Sequence, residues 1–135
     1  MILVDSSVWI DFLRGTSNRQ TEQLVTWLSG SRIMADVGVA DLVVFEVLRG
    51  FDNPKAQEKA KQLLLDLEVV EIGGLENSLL AADHYLQLRT RGYTIASPID
   101  VILASYCITH GHTLLHRDAD FDVMATLRGL RVVAH

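Results

Sequence analysis

Five carboxylates in this 135-residue chain stand where a carboxylate needs a physical reason. Asp5 ends the apolar run Ile2-Leu3-Val4, and Glu46 interrupts the apolar stretch LVVFEVL. Asp100 lies in SPIDVILASYC, and Asp118 and Asp120 lie in LLHRDADFDVM. A carboxylate in apolar surroundings is costly unless it is paired, hydrogen-bonded or bound to a metal. Hard oxygen ligands gathered from separate segments suit Mg²⁺ or Mn²⁺. Such an ion can activate water and stabilise charge on a phosphodiester during its hydrolysis. Each acid also has a plainer reading. Asp and Ser are favoured helix caps, so Asp5 fits a helix start as well as a metal site. Glu46 fits an exposed position on an amphipathic helix, although Val43, Val44, Val47 and Leu48 leave little polar face around it. Ser97, Pro98 and Asp100 have the form of a capped helix start with a capping-box acid. Capping and metal binding do not exclude each other.

The alternation Asp118, Asp120, Asp122 is tested against three acidic sites. A calcium loop starting at Asp118 would need Gly at Val123 and Glu at Gly129. A dehalogenase-type phosphatase carries its acidic pair at the start of the fold, whereas 13 residues follow Asp122. A receiver domain needs a lysine after a late strand, and Lys55, Lys59 and Lys61 all share one helix. All three fail. What survives is a set of acids brought together by the fold.

The elements that must do this are short. Residues 2–4 read as a strand, 7–14 and 20–28 as helices, and 33–35 as a short strand. Helices follow over 40–48 and from Pro54 to about residue 67, where Ala56, Ala60, Leu63, Leu64 and Leu67 keep the 3.6-residue period. Residues 68–72 read as a strand, 76–90 and 98–110 as helices, 113–115 as a strand, 121–127 as a helix and 131–133 as a last strand. Strands separated by helices predict an α/β fold, a parallel sheet with helices on both faces. Its functional crevice lies beyond the carboxyl ends of the strands. Asp5 and Asp118 each follow a strand and fall at that edge.

The composition agrees with one globular domain over 1–135. Apolar residues make up 49% and charged residues 21%, enough for a core and too apolar for disorder. The single cysteine, Cys107, cannot form an internal disulfide, which fits a reducing cytoplasm. No apolar run reaches the ~18 residues of a membrane helix, and no basic leader precedes Ile2, so neither a membrane nor a secretory route is expected. Twelve basic residues against 17 acidic ones leave a net charge of −5. That is the wrong sign for binding nucleic acid through bulk charge, so such a role needs a local basic rim or a bound cation.

In order and at this length, ILVDSSVWID, FEVLRG, PIDVILASYCITHG and LLHRDADFD resemble a PIN-domain ribonuclease of the VapC toxin family. The resemblance covers essentially the whole chain. It implies a three-layer α/β/α sandwich with a mostly parallel sheet, and a Mg²⁺- or Mn²⁺-dependent endoribonuclease acting on RNA. It also implies a homodimer and neutralisation by a cognate antitoxin. Position by position, it makes Asp5, Glu46, Asp100 and Asp118 the core acids, with Asp5, Asp100, Asp118 and Asp120 as metal ligands. Ser7 falls where the family has a small polar residue supporting the first Asp, which leaves Ser6 or Ser7 to cap the helix. His116 stands where many relatives carry a hydroxyl residue. Two other functions stay open: a catalytically silent RNA- or partner-binding module, and a flap nuclease or exonuclease acting on DNA.

The remaining candidates are weaker. His110, His112 and His116 read as solvated loop histidines rather than a zinc site. Cys107 reads as a core thiol, and Trp9, Phe12 and Trp27 as core or dimer-interface anchors. Arg14, Arg49 and Arg117 are placed equally for phosphate contacts or surface ion pairs. The lysines of 55–61 read as a solvated helix face.

Overall fold

The computed structural model describes residues 1–30 and 36–134. Five strands form one sheet: β1 (Ile2–Val4), β2 (Val37–Ala40), β3 (Glu68–Val70), β4 (Thr113–Leu115) and β5 (Arg131–Val132). The sheet order is β3-β2-β1-β4-β5, and every neighbouring pair is parallel. The chain builds outward from β1 to β3, then crosses back to place β4 on the other side of β1. Leu3 and Val4 in β1, and all four residues of β2, are buried. Successive strand residues point to opposite faces, so both faces of the sheet are covered and the layering is α/β/α.

Among the described residues seven helices supply the covering: α1 (Ser6–Leu13), α2 (Arg19–Leu28), α3 (Asp41–Leu48), α4 (Pro54–Leu65), α5 (Leu75–Thr90), α6 (Pro98–His110) and α7 (Ala119–Arg128). Helices α1 to α4 pack on one another, as do α5 to α7. The strand expected over 33–35 lies outside the described residues. The strand beside β1 is Val37–Ala40, so Ala40 ends a strand instead of beginning a helix. Its pattern VGVA has no polar alternation because both faces are buried, and that removes the usual strand signal. Gly38 allows the close packing there: a Cβ would come within 3.1 Å of the Glu68 carbonyl oxygen. β3 stops at Val70, short of the expected 72, because the Ile72 amide donates to the Asp41 side chain at 3.0 Å instead of to a strand.

Trp9 is fully buried, and Phe12 packs edge-on against it with ring centres 6.1 Å apart. Cys107 is a core thiol, and burial pushes its pKa up to about 12. No helix among the described residues is long and apolar enough to cross a membrane.

Polar ties hold α6 in place. The Asn77 side-chain amide donates to the carbonyls of Ile72 at 2.7 Å and Ile102 at 3.1 Å, and it accepts from the Ser105 hydroxyl at 2.8 Å. At the far end of α7, Arg128 Nε donates to His84 Nδ1 of α5 at 2.9 Å. Replacing Asn77 with Ala leaves these partners without their bonds and should cost about 2 kcal/mol, in the range for unsatisfied buried polar groups. Urea unfolding checks this; a midpoint unchanged at constant slope would show that the ties add nothing.

Candidate active site

β1 carries the first acid to the sheet edge. Val4 pairs with Leu115, and the Asp5 amide donates to the Leu115 carbonyl at 3.0 Å. Asp5 and the residues after β4 therefore emerge side by side where the strand order turns back, at the point where such sheets bind ligands. Asp5 is itself the N-cap of α1. Its Oδ2 accepts from the Ser7 hydroxyl at 2.8 Å and, more weakly, from the Ser7 amide at 3.5 Å. The expectation that Ser6 or Ser7 caps this helix is thus corrected. Asp5 sits at the strand-to-helix junction with extended backbone angles, so its own carboxylate reaches the free amides first. Ser7 supports Asp5, and Ser6 lowers the Glu46 pKa.

Asp118 repeats the arrangement after β4. It caps α7, with one carboxylate oxygen accepting the Asp120 amide at 2.9 Å. Asp100 lies in the first turn of α6 and is buried. Ser97 occupies the cap position there but makes no side-chain cap bond; its carbonyl accepts the Asp100 amide at 3.1 Å. Glu46 lies on α3, half-buried rather than on an exposed polar face. Asp120 is partly exposed at the rim.

The charges of these acids act on one another. Asp100 is pushed up to about 7, first by burial and then by Asp5, Asp118 and Glu46, with Ser97 opposing. Burial raises Asp5, with a further push from Asp118, against hydrogen bonds from Ser7 and Ser6. Burial and then Asp5 raise Glu46, opposed by Ser6 and Arg49. None of the four is in an ion pair among the described residues. Among the described residues, Asp5 Oδ1 and Glu46 Oε1 are buried without a hydrogen-bond partner. Among the described residues, no three His, Cys, Asp or Glu side chains stand close enough to enclose an ion as they lie. The donor chemistry nonetheless fits a hard cation: carboxylates alone, two of them with unsatisfied buried oxygens.

Two further placements correct the sequence reading. His116 is 1% exposed, not a solvated loop histidine. Its Nδ1 accepts the Asp118 amide at 3.0 Å, and its ring lies 5.1 Å from that of Phe121. The apolar environment comes from Phe121 on α7, which the local sequence around His116 does not announce. His110 lies toward solvent, whereas His112 is half-buried and burial lowers its pKa; both cluster with Tyr106. Arg117 forms an ion pair with Asp11 of α1, a residue the sequence reading passed over. Asp11 also accepts from Asn18 at 3.3 Å, so it ties both the loop after β4 and the start of α2 to α1. Arg49 stacks over the exposed Phe45, 5.9 Å from its ring centre.

The fold and the acidic edge define a class, and comparison with known proteins names it. The model of the PIN domain matches residues 2–127, and the chain belongs to the PIN-domain family. It is 28% identical over 134 residues to VapC ribonuclease Mb1587 of Mycobacterium bovis, covering 99% of this chain and 98% of that one. Its fold matches FitAcB from Neisseria gonorrhoeae with a TM-score of 0.76 and 25% identity, over 99% of this chain and 97% of that one. A toxin–antitoxin complex from Klebsiella pneumoniae matches in fold with a TM-score of 0.65 at 18% identity, over 99% and 97%.

Asp100 gives this edge a pH signature. Its carboxyl ionises near 3.8 in an unexposed-to-charge reference state and near 7 in the folded chain. Between those values the folded state holds the extra proton, so metal-free stability falls as pH rises through that window. Asp100→Asn should remove this component, and its stability relative to wild type should rise between about pH 4 and pH 7. Urea unfolding across that range checks it; parallel curves would show that the Asp100 proton is not held.

Proposed function

We propose that this chain is a divalent-metal-dependent endoribonuclease of the VapC toxin kind, hydrolysing RNA phosphodiesters. The observation that carries the reading is the convergence of Asp5, Glu46, Asp100 and Asp118, from four separate segments, at the carboxyl edge of the sheet. The ribonuclease names of the curated relatives support it. Asp5, Asp100 and Asp118, with Asp120 at the rim, would hold Mg²⁺ or Mn²⁺, which would supply charge neutralisation and activation of water.

The chain's own residues set the rest. Ser7 fixes the carboxylate of Asp5 by a hydrogen bond, and Ser97 favours the ionised form of Asp100. Glu46 completes the ligand set or orients the attacking water; its raised pKa makes it a better proton acceptor than an ordinary glutamate. No covalent nucleophile is needed, and the buried Cys107 thiol is unsuited to be one.

The same reading includes a homodimer and a small antitoxin. Leu75, Leu79 and Leu86 are 76%, 65% and 55% exposed along α5, an apolar stripe that a second copy would cover. A basic side chain from the antitoxin would satisfy the unpaired carboxylates.

Asp5→Asn, Asp100→Asn and Asp118→Asn should each lower RNA cleavage by at least ~10²-fold with the fold intact, as expected for losing a term that acts on developing charge. Chelation should abolish cleavage, and Mg²⁺ or Mn²⁺ should restore it. Turnover of matched RNA and DNA strands is the measurement. Activity surviving exhaustive chelation rejects the mechanism, preference for DNA makes the chain a DNA nuclease, and RNA binding without turnover makes it a silent module. Without metal, Asp118→Asn should melt above wild type because one repulsive charge is gone. Added Mn²⁺ at ~100 times its dissociation constant should stabilise wild type by about 2.7 kcal/mol and the variant by less. Differential scanning calorimetry decides this; a variant that gains as much as wild type removes Asp118 from the site.

A further inference from the structure

We infer that His116 is a positioning residue that sets Asp118 for metal binding, acting as a clamp between the end of β4 and the start of α7. The inference rests on the metal reading of the acidic edge and assigns a residue outside the carboxylate set. His116 follows Leu115 directly and is buried, so its ring orientation is fixed by packing against Phe121. Its Nδ1 receives the Asp118 amide at 3.0 Å. An amide can only donate, so Nδ1 is the unprotonated nitrogen and the ring proton sits on Nε2. Nε2 lies 3.3 Å from Asp122 Oδ1, one helical turn beyond Asp118 on α7, close enough for charge attraction but not aligned as a hydrogen bond, so the Asp118 amide is the contact that sets the tautomer. With its amide held by His116 and one carboxylate oxygen held by the Asp120 amide, Asp118 has both backbone and side chain set. A hydrogen-bonded support of this kind fixes the direction in which a ligand carboxylate presents its remaining oxygens, and losing one typically costs 10–100-fold in metal affinity.

A packing role and a positioning role predict different results. Leu fills much of the ring's volume but accepts no hydrogen bond. Asn places an acceptor oxygen close to where Nδ1 stands. Mn²⁺ affinity, measured by electron paramagnetic resonance on the intact chain, should fall about 10-fold or more in His116→Leu and be largely recovered in His116→Asn. Hydrogen exchange at the Asp118 amide, followed by NMR without metal, should quicken in His116→Leu and slow again in His116→Asn. Unchanged affinity in His116→Leu, or equal loss in both variants, reduces His116 to packing and overturns the inference. Should His116→Leu fail to fold, His116→Met, which also offers no strong acceptor to the Asp118 amide, takes its place. Weaker Mn²⁺ binding at unchanged melting temperature then supports the clamp, and unchanged binding overturns it. A wild type that binds no Mn²⁺ overturns the metal site and the clamp together, whereas binding that ignores His116 overturns the clamp alone.

Discussion

The pairing of β1 between β2 and β4 is the constraint on which the rest of this structure depends. β1 is three residues long, yet it hydrogen-bonds on both edges and is buried on both faces. A strand so short holds its register through its neighbours: Ile2 and Leu3 align with Val37 and Gly38 on one side, and Ile2 to Val4 with Thr113 to Leu115 on the other. Slipping by one residue would turn Leu3 and Val4 out of their layers. It would also move Asp5 away from the end of β4. Core packing and site assembly are therefore one requirement.

That placement creates an electrostatic cost which the local structure reduces without removing. Asp5 and Asp118 both stand at helix N-termini, where amides and the helix dipole favour negative charge. The Ser7 hydroxyl donates to Asp5, and Ser6 and Ser97 lower the pKa values of Glu46 and Asp100. Burial still dominates, and the three acids with shifted pKa values all move upward. Natural cores avoid such arrangements unless a ligand answers them. The nearby arginines are engaged elsewhere: Arg117 with Asp11, and Arg49 over Phe45 while lying close enough to lower the Glu46 pKa. Among the described residues the edge remains short of positive charge, and that shortage is what a cation, or a basic side chain from a partner, would meet.

Two long-range ties keep this edge from relaxing. Arg117 and Asp11 join residues 106 positions apart and hold the loop after β4 against α1. Asn77 and Ser105 hold α6, and with it Asp100, against the segment that follows β3. Each tie joins an element bearing one acid to an element from another part of the chain. The site is as stiff as the packing around it, as a set of like charges must be if they are not to move apart.

The sequence by itself determined the parts that depend on neighbouring residues. The 98–110 helix and the 113–115 strand match the structure at both ends, because Pro98 and Gly111 mark the helix limits and a short apolar run follows. The acids at strand ends were legible for the same reason: a carboxylate interrupting an apolar run stands out locally. What the sequence could not display is whatever a distant residue supplies. β2 lacks alternation because both its faces are covered by helices from other parts of the chain. Asp5, not Ser6 or Ser7, caps α1, because the turn from strand to helix decides which oxygen reaches the free amides. His116 is buried because α7 folds Phe121 and Asp122 back over it, and Asp11 matters because Arg117 arrives from the far end of the chain. Burial and long-range pairing are properties of three-dimensional packing, and only the tertiary structure decided them.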